Sequence, residues 1–413
     1  MYSQLRACID ALPIVDDHSH PGYAQVCAEL GMGNSPVRYL SPTASAALDA
    51  GRGYDWQRLM HREAYRLIYG LEGDLEDPDR LPELDAIFQQ KRQDPGALVD
   101  ACLYAAGVEY AMGNLFLPHA LEHKPNLGLV PTVDPLIFPF GTAEDGSDPL
   151  KNYTPVLQRY KKAYGCPDSP GFEDYMAFVG RALAGLRRDG CDGYKLLLAY
   201  LRSLRFDEVS RAEAAAAYRA AQDGDLSAYK ALQDYIAWAI FTYASAQGIP
   251  VQIHTALIDG RIGDFSVFNL QNLLCHPATR AIKLVLLHCA YPRYGDAATL
   301  ALAATDDSGA LNQVHLEFSG RILYMNHPRV VARMLREYLD FPLLWDKLIY
   351  GSDAWYGERW YYTCARTGRE AVYLALSDMI GEEIIDEDTA IQIAKNILRN
   401  NAIRLYGLPL QIL

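Results

Sequence analysis

Residues Lys283–Cys289 read KLVLLHC, an apolar run that ends in a histidine. A strand shows such an unbroken run when both faces of its sheet are covered, because side chains on either face then meet apolar neighbours. Residues Tyr194–Leu198, which read YKLLL, have the same character. Helices that alternate with parallel strands cover both faces of a sheet, so these two segments indicate a repeated βα unit.

Similar segments recur along the whole chain. We predict eight strands, at Leu12–Asp17, Gly107–Gly113, Leu127–Val133, Gly193–Ala199, Pro250–Ile253, Ala281–Leu287, Gln313–Phe318 and Lys347–Gly351. Helical periodicity between them is clearest in Trp56–Gly70, Glu208–Gln247, Val330–Leu339 and Thr389–Tyr406. Eight parallel strands close a barrel, so the sequence predicts an α/β fold of the (β/α)8, or TIM barrel, class.

Residues 22–100 are the longest interruption of this pattern and separate the first two strands. The segment contains one predicted helix and the acidic stretch EGDLEDPDR. Insertions of this size at one end of a barrel usually cover the active site. We therefore predict a single barrel domain over residues 1–413, with 22–100 inserted after strand 1 as a helical lid.

The composition excludes some kinds of partner. Asp and Glu outnumber Lys and Arg 51 to 38, a net charge of −13 that disfavours nucleic acids and anionic membrane surfaces. The eight cysteines are scattered, and the first residues do not have the pattern of a secretory signal. We expect reduced thiols, a cytoplasmic protein and a small-molecule substrate, and leave open whether the chain forms a homo-oligomer.

A histidine pair follows the first predicted strand, in the sequence Asp17-His18-Ser19-His20. Residues i and i+2 of a strand point to the same face, so the two imidazoles converge. Neutral imidazole is a common nitrogen ligand for zinc and related metals. An H-x-H pair alone is not specific.

Three further polar residues lie where predicted strands end. His254 follows the fifth strand, His288 the sixth and Asp353 the eighth. The catalytic residues of α/β barrels come from these C-terminal strand ends. Four histidines and an aspartate at one barrel mouth predict a site for a divalent metal.

These motifs, in this order, resemble the amidohydrolase superfamily, and most closely the amidohydrolase-related group that includes the FluG-type domains fused to glutamine synthetase. The resemblance spans residues 12–407. Its matching segments are DDHSHPG, GYKLLLAYLRSLRF, IPVQIHTAL, LVLLHCAYPR, LIYGSDAW and ILRNNAIRLYGL.

The resemblance implies a ligand set. His18, His20, His254 and Asp353 match the family's metal ligands, and Asp353 also matches its general base. His288 matches a residue that binds a second metal or polarises the substrate. A zinc-type ion lowers the pKa of bound water from about 15.7 to about 7, so it supplies hydroxide at neutral pH. We expect one Zn²⁺ per chain, with two ions as the alternative.

The same strand ends carry candidate substrate-binding residues. These are Lys195, Tyr200, Arg202, Arg293 and Trp355. Arg binds carboxylates with two hydrogen bonds, which suits an anionic substrate. In binuclear relatives a fourth-strand Lys is carboxylated and bridges two metals. We expect Lys195 instead to be an unmodified ammonium that binds a substrate anion or pairs with Asp353.

Three functions fit these residues. The favoured one is hydrolysis of a small amide, ester or related bond by metal-activated water. A metal-dependent decarboxylase or isomerase on the same barrel is the second, because the same ligands polarise a carboxylate or carbonyl equally well. The third is a non-catalytic metal-binding or regulatory barrel. Fold analogy alone does not separate them.

Overall fold

The structure is a computed structural model of the chain. It describes residues 2–29, 55–71, 77–115, 121, 124–142, 152–257, 265–304, 313–354 and 359–413. No helix within these residues is long and apolar enough to cross a membrane.

Every predicted strand is present. The strands are β1 Ile14–Ser19, β2 Val108–Leu115, β3 Leu127–Pro131, β4 Tyr194–Leu196, β5 Val251–His254, β6 Leu284–Leu287, β7 Val314–Phe318 and β8 Leu348–Tyr350. β1 begins two residues later than predicted, because the Leu12 amide ends the preceding helix by donating to the Cys8 carbonyl and Pro13 has no amide hydrogen. β4 is shorter than predicted, because the Leu197 amide donates to the Asp134 carboxylate, 2.8 Å away, instead of continuing the sheet.

The strands form two hydrogen-bonded sheets, ordered β1-β2-β3 and β4-β5-β6-β7-β8. β1 pairs with β2 in parallel, β5 with both β4 and β6, and β7 with β8. A parallel bridge joins Thr132 to Lys195, and beyond β8 the Asp353 amide donates to the His18 carbonyl after β1. This order of parallel strands alternating with helices is that of a (β/α)8 barrel, the fold class that the sequence predicted.

The α-helices of the described residues precede, connect and follow the strands. They are α1 Ser3–Ala11, α2 Tyr23–Glu29, α3 Asp55–Tyr69, α4 Leu81–Lys91, α5 Pro95–Ala106, α6 Asp134–Ile137, α7 Thr154–Tyr164, α8 Phe172–Arg188, α9 Arg211–Gln222, α10 Tyr229–Gln247, α11 Gln271–Cys275, α12 Tyr294–Ala303, α13 Arg321–Tyr324, α14 Pro328–Leu339, α15 Arg359–Gly381, α16 Glu387–Lys395 and α17 Asn401–Tyr406. The predicted helical segment Glu208–Gln247 is two helices, because α9 ends before Gly224, whose φ of 88° is left-handed. α9 begins with a capping box in which Ser210 and Glu213 satisfy each other's amides.

The chain divides into two compact units. The first comprises Met1–Val26, Asn34–Gly128 and Leu316–Leu413, and the second Cys27–Gly33 and Leu129–His315, counting only their described residues. In the first unit, α15 packs against α14, α3 and α5, and all six residues of β1 are buried. In the second, β5 lies between β4 and β6, and α9 packs against α10. That residues 1–413 form a single domain stays a prediction.

The described part of the predicted insertion is helical. Its helix α3 packs against α15 within the first unit, where the Trp56 indole donates to the Thr367 hydroxyl over 3.0 Å. His61 of α3 lies edge-on to Trp360, with ring centroids 4.7 Å apart. Residues 30–54 and 72–76 lie outside the described residues. The assignment of 22–100 as a lid over the site stays a prediction.

Candidate metal centre

The first unit brings the histidine pair of β1 to the aspartate after β8. His18 Nε2 lies 3.1 Å from Asp353 Oδ1, and His20 Nε2 lies 3.2 Å from the same oxygen. The His18 and His20 rings are themselves 5.2 Å apart, edge to face. All three residues are buried, with 1%, 8% and 9% of their surfaces exposed. Two imidazole nitrogens therefore converge on one carboxylate oxygen in a buried position.

The Asp16 carboxylate connects the two segments that carry these residues. Asp16 Oδ1 accepts from the Ser352 amide at 2.8 Å and from the His18 amide at 3.3 Å. The end of β1 is thereby fastened to the residues that follow β8. Burial raises the pKa of Asp16 to about 7, against hydrogen bonds from Ser352 that lower it. Sequence reasoning missed this role of Asp16, although the doubled aspartate before the histidines was a visible signal.

The backbone at Asp353 is strained. Its φ of 52° is in the left-handed region, where non-glycine residues cost about 1–3 kcal/mol. Such residues persist only where the surrounding structure over-determines them, and they concentrate at functional sites. The strain supports a functional role for Asp353.

The second unit brings together the histidines of β5 and β6. The His254 and His288 rings lie 4.7 Å apart at 65°. His288, Cys289 and Ala290 are all left-handed, with φ of 63°, 48° and 55°. A turn of three such residues is costly and needs support from its neighbours.

Thr255 supplies that support. Its hydroxyl donates to the Leu287 carbonyl at 2.7 Å and accepts from the Ala290 amide at 3.0 Å. One buried side chain thus holds both ends of the turn that carries His288. Sequence reasoning missed Thr255, which directly follows His254 and has no distinguishing pattern of its own.

Lys195 is the middle residue of β4 and is 1% exposed. It acts electrostatically on Asp134, whose carboxylate accepts from the Leu197 amide and, at 2.6 Å, from the Thr132 hydroxyl. Burial raises the pKa of Asp134 to about 7, while these hydrogen bonds and Lys195 oppose the rise. Asp134 is a second buried acid that sequence reasoning did not find.

The other four predicted substrate-binding residues differ in their surroundings. Tyr200 packs its ring 4.5 Å from that of His254. Arg202 forms an ion pair with buried Asp234, and Arg293 is 49% exposed and pairs with Asp296. Trp355 lies outside the described residues. Binding of substrate by these residues stays a prediction.

Comparison with known proteins identifies the family. Residues 200–408 match the family model described as amidohydrolase. The chain belongs to the amidohydrolase family. The matched segment of this amidohydrolase includes His254, His288 and Asp353. No curated protein sequence matches the chain.

Solved structures share the fold of this amidohydrolase across nearly all of its length. A protein of Lactobacillus casei ATCC 334 that is considered a metal-dependent hydrolase has a TM-score of 0.66 at 17% identity, covering 98% of this chain and 97% of its own. Glucuronate isomerase from Caulobacter crescentus has a TM-score of 0.67 at 15% identity, covering 99% and 94%. Uronate isomerase from Thermotoga maritima has a TM-score of 0.68 at 14% sequence identity, and the match covers 98% of this chain and 97% of the isomerase. At these identities the likeness shows the fold alone.

The residues present in the amidohydrolase fit a divalent metal. The two imidazole nitrogens of His18 and His20 and the Asp353 carboxylate are the kind of donors that would hold a zinc-type ion. A buried carboxylate is also stabilised by a cation beside it. The family and this donor set support a metal site, and they do not distinguish zinc from related ions.

Proposed function

We propose that this chain is a metal-dependent hydrolase acting on a small amide, ester or related substrate, and that it belongs to the FluG-type group of its family. The observation that carries the proposal is the convergence of His18 and His20 Nε2 on Asp353 Oδ1. Catalytic zinc sites commonly combine two imidazoles with one carboxylate and keep a position open.

His254 and His288 extend the proposed site. The C-terminal ends of barrel strands face the same side, and each of these histidines comes at the end of its strand. We therefore assign His18, His20, His254 and Asp353 as the metal ligands. One Zn²⁺ per chain is the proposed occupancy, and His288 is proposed to act on the substrate.

When bound, a divalent cation activates a water nucleophile at neutral pH and polarises a substrate oxygen. The Asp353 carboxylate accepts the proton of the attacking water and passes it to the leaving group. Its left-handed backbone and the hydrogen bond from its amide to the His18 carbonyl fix the carboxylate before substrate arrives. The His288 imidazole donates a hydrogen bond to the oxygen on which negative charge develops.

Lys195 and Tyr200 are the stronger candidates for binding the substrate. Lys195 is a buried lysine, and Tyr200 packs on His254. Arg202 and Arg293 already pair with carboxylates of this chain and would have to exchange them for a substrate anion. We retain both, with Trp355, as further proposed contacts. The proposed substrate is a small molecule with a carboxylate group, and the proposed location is the cytoplasm.

A metal-dependent isomerase or decarboxylase is the second candidate. Two of the similar structures are isomerases of uronic acids. A cation that polarises a carbonyl or hydroxyl supports such a reaction with the same ligands. Lys195 would then bind the uronate carboxylate.

The proposal is tested with purified protein reconstituted with Zn²⁺ and assayed on small amides, esters and uronic acids, with products followed by mass spectrometry. We expect hydrolysis of an amide or ester, lost in Asp353→Asn and retained in Asp346→Asn. Asp346 precedes β8 and accepts a hydrogen bond from Asn396, so it is a matched control. Isomerisation of uronates without hydrolysis would replace the proposal by the second candidate. Metal binding with no turnover of any substrate would favour a non-catalytic metal-binding barrel.

A further inference from the structure

Strand β7 carries a fully buried acid. Glu317 is 0% exposed, and it alternates along the strand with Leu316 and Phe318. The Phe318 ring packs against the Tyr350 ring, 5.9 Å away, so Glu317 points to the opposite face of the sheet. Burying a carboxylate is costly unless charges or hydrogen bonds compensate it. The buried Glu317 carboxylate therefore needs a compensating charge or hydrogen bond.

The space around Gly351 locates the Glu317 carboxylate. A Cβ added at Gly351 would lie 2.0 Å from Glu317 Oε1 and 3.0 Å from the His18 Cβ. Glu317 and His18 therefore flank the same point above the Gly351 main chain. A side chain at position 351 would therefore force the Glu317 carboxylate to move.

Ser319 fixes the other oxygen of the carboxylate. Its hydroxyl donates to Glu317 Oε2 at 2.9 Å, and Ser319 is itself fully buried. The Ser319 hydrogen bond therefore fixes Oε2, while Oε1 lies over Gly351, on whose other contact side is the His18 Cβ.

Negative charge is concentrated in this part of the first unit. Burial together with the charges of Asp16, Asp353 and Glu317 raises the pKa of the Cys364 thiol. Three carboxylates of the first unit thus act on one buried thiol. A divalent cation is the kind of group that such a concentration of charge favours.

We propose that Glu317 is a positioning residue of the metal centre, reaching across Gly351 to brace the His18 side chain and adding negative charge that favours the cation. The inference rests on the proposed function. Residues that support metal-ligating histidines without binding the ion themselves matter for the site, and their loss typically costs 10–100-fold in metal affinity.

The test is a measurement of Zn²⁺ affinity by chelator competition, with the absorption spectrum of the Co²⁺-substituted protein as a second readout. Glu317→Gln keeps the shape of the side chain and removes its charge. We expect this variant to bind Zn²⁺ roughly 10–100-fold more weakly and to alter the Co²⁺ spectrum, with little change in the thermal stability of the metal-free protein. A second variant, Gly351→Ala, has Gly180→Ala as its control, because a Cβ added at position 180 meets nothing within 4 Å.

Gly351→Ala tests the same contact from the other side. It should weaken Zn²⁺ binding on its own, and the double variant Gly351→Ala/Glu317→Ala should bind no more weakly than Glu317→Ala, since the space is then vacated. Equal affinity of wild type and Glu317→Gln would overturn the inference, even if Gly351→Ala failed to fold. A wild-type protein that binds no divalent metal would overturn the proposed function and this inference with it.

Discussion

The main-chain amide of Asp353 donates a hydrogen bond to the main-chain carbonyl of His18 over 2.7 Å. The same two residues meet again through their side chains, where Nε2 lies 3.1 Å from Oδ1. The backbone therefore sets the separation of two proposed ligands before their side chains are placed. Pre-organisation of this kind lowers the cost of assembling a site when the ion or substrate binds.

The first prediction concerns the metal. Purified protein should contain about one divalent ion per chain, and His18→Ala/His20→Ala should lose it, because two of the four proposed ligands are removed. Elemental analysis after dialysis measures the content. His276→Ala, which alters a surface cap to the Ala278 amide, should keep the ion. Full occupancy in the double variant would show that the ligands lie elsewhere.

The second prediction concerns the base. Asp353→Asn should fold normally and reduce turnover by roughly 100-fold or more, because the amide cannot accept the proton of water. Steady-state kinetics on the substrate found by the screen provide the measurement, with circular dichroism as the check on folding. Turnover close to that of wild type would assign proton transfer to another group.

The third prediction concerns Lys195. A bridging carbamate on this residue would hold two ions about 3.5–4 Å apart, so a protein with one ion should have an unmodified ammonium. Elemental analysis gives the number of ions per chain, and ¹³C NMR of protein prepared in ¹³C-bicarbonate detects a carbamate on Lys195. A carbamate signal with two ions per chain would contradict the single-metal site.

The fourth prediction concerns the turn after β6. Thr255→Val keeps the side-chain shape but removes the hydroxyl that holds the Leu287 carbonyl and the Ala290 amide. We expect a loss of about 1–3 kcal/mol in the free energy of unfolding, because a buried donor or acceptor is left unmatched. Turnover should also fall, since His288 belongs to this turn. Thr255→Ser should restore both, whereas wild-type behaviour of Thr255→Val would exclude the role.

The fifth prediction concerns pH. The pKa of buried Asp134 is raised from 3.8 to about 7, so the folded protein holds this proton more tightly than the unfolded chain. Its contribution to stability is present below pH 3.8 and is lost as the pH rises through about 7. The free energy of unfolding of wild type minus that of Asp134→Asn should therefore fall over this interval, by on the order of 4 kcal/mol. Denaturation of both proteins at several pH values measures it, and a difference that is constant with pH would contradict the raised pKa.

Much of the fold could be predicted from the sequence because its signals are local. Buried strands such as β6 have continuous apolar runs, and strand-end polar residues such as His254 follow them directly. Boundaries were less accurate where a distant residue decides them. β4 stops where the Asp134 carboxylate takes the Leu197 amide, and 63 residues separate those two in sequence.

The sequence by itself determined the barrel class, its eight strands and the candidate ligands at their ends, because side-chain periodicity is a local property of the chain. Only the tertiary structure decided that His18 and His20 share one oxygen of Asp353, that Asp16 fastens β1 to Ser352, and that Glu317 lies across Gly351 from His18. His18 and Asp353 are 335 positions apart in the sequence, and Asp16 and Ser352 are 336 apart. No local pattern encodes these contacts, since they depend on which strands become neighbours when the barrel forms.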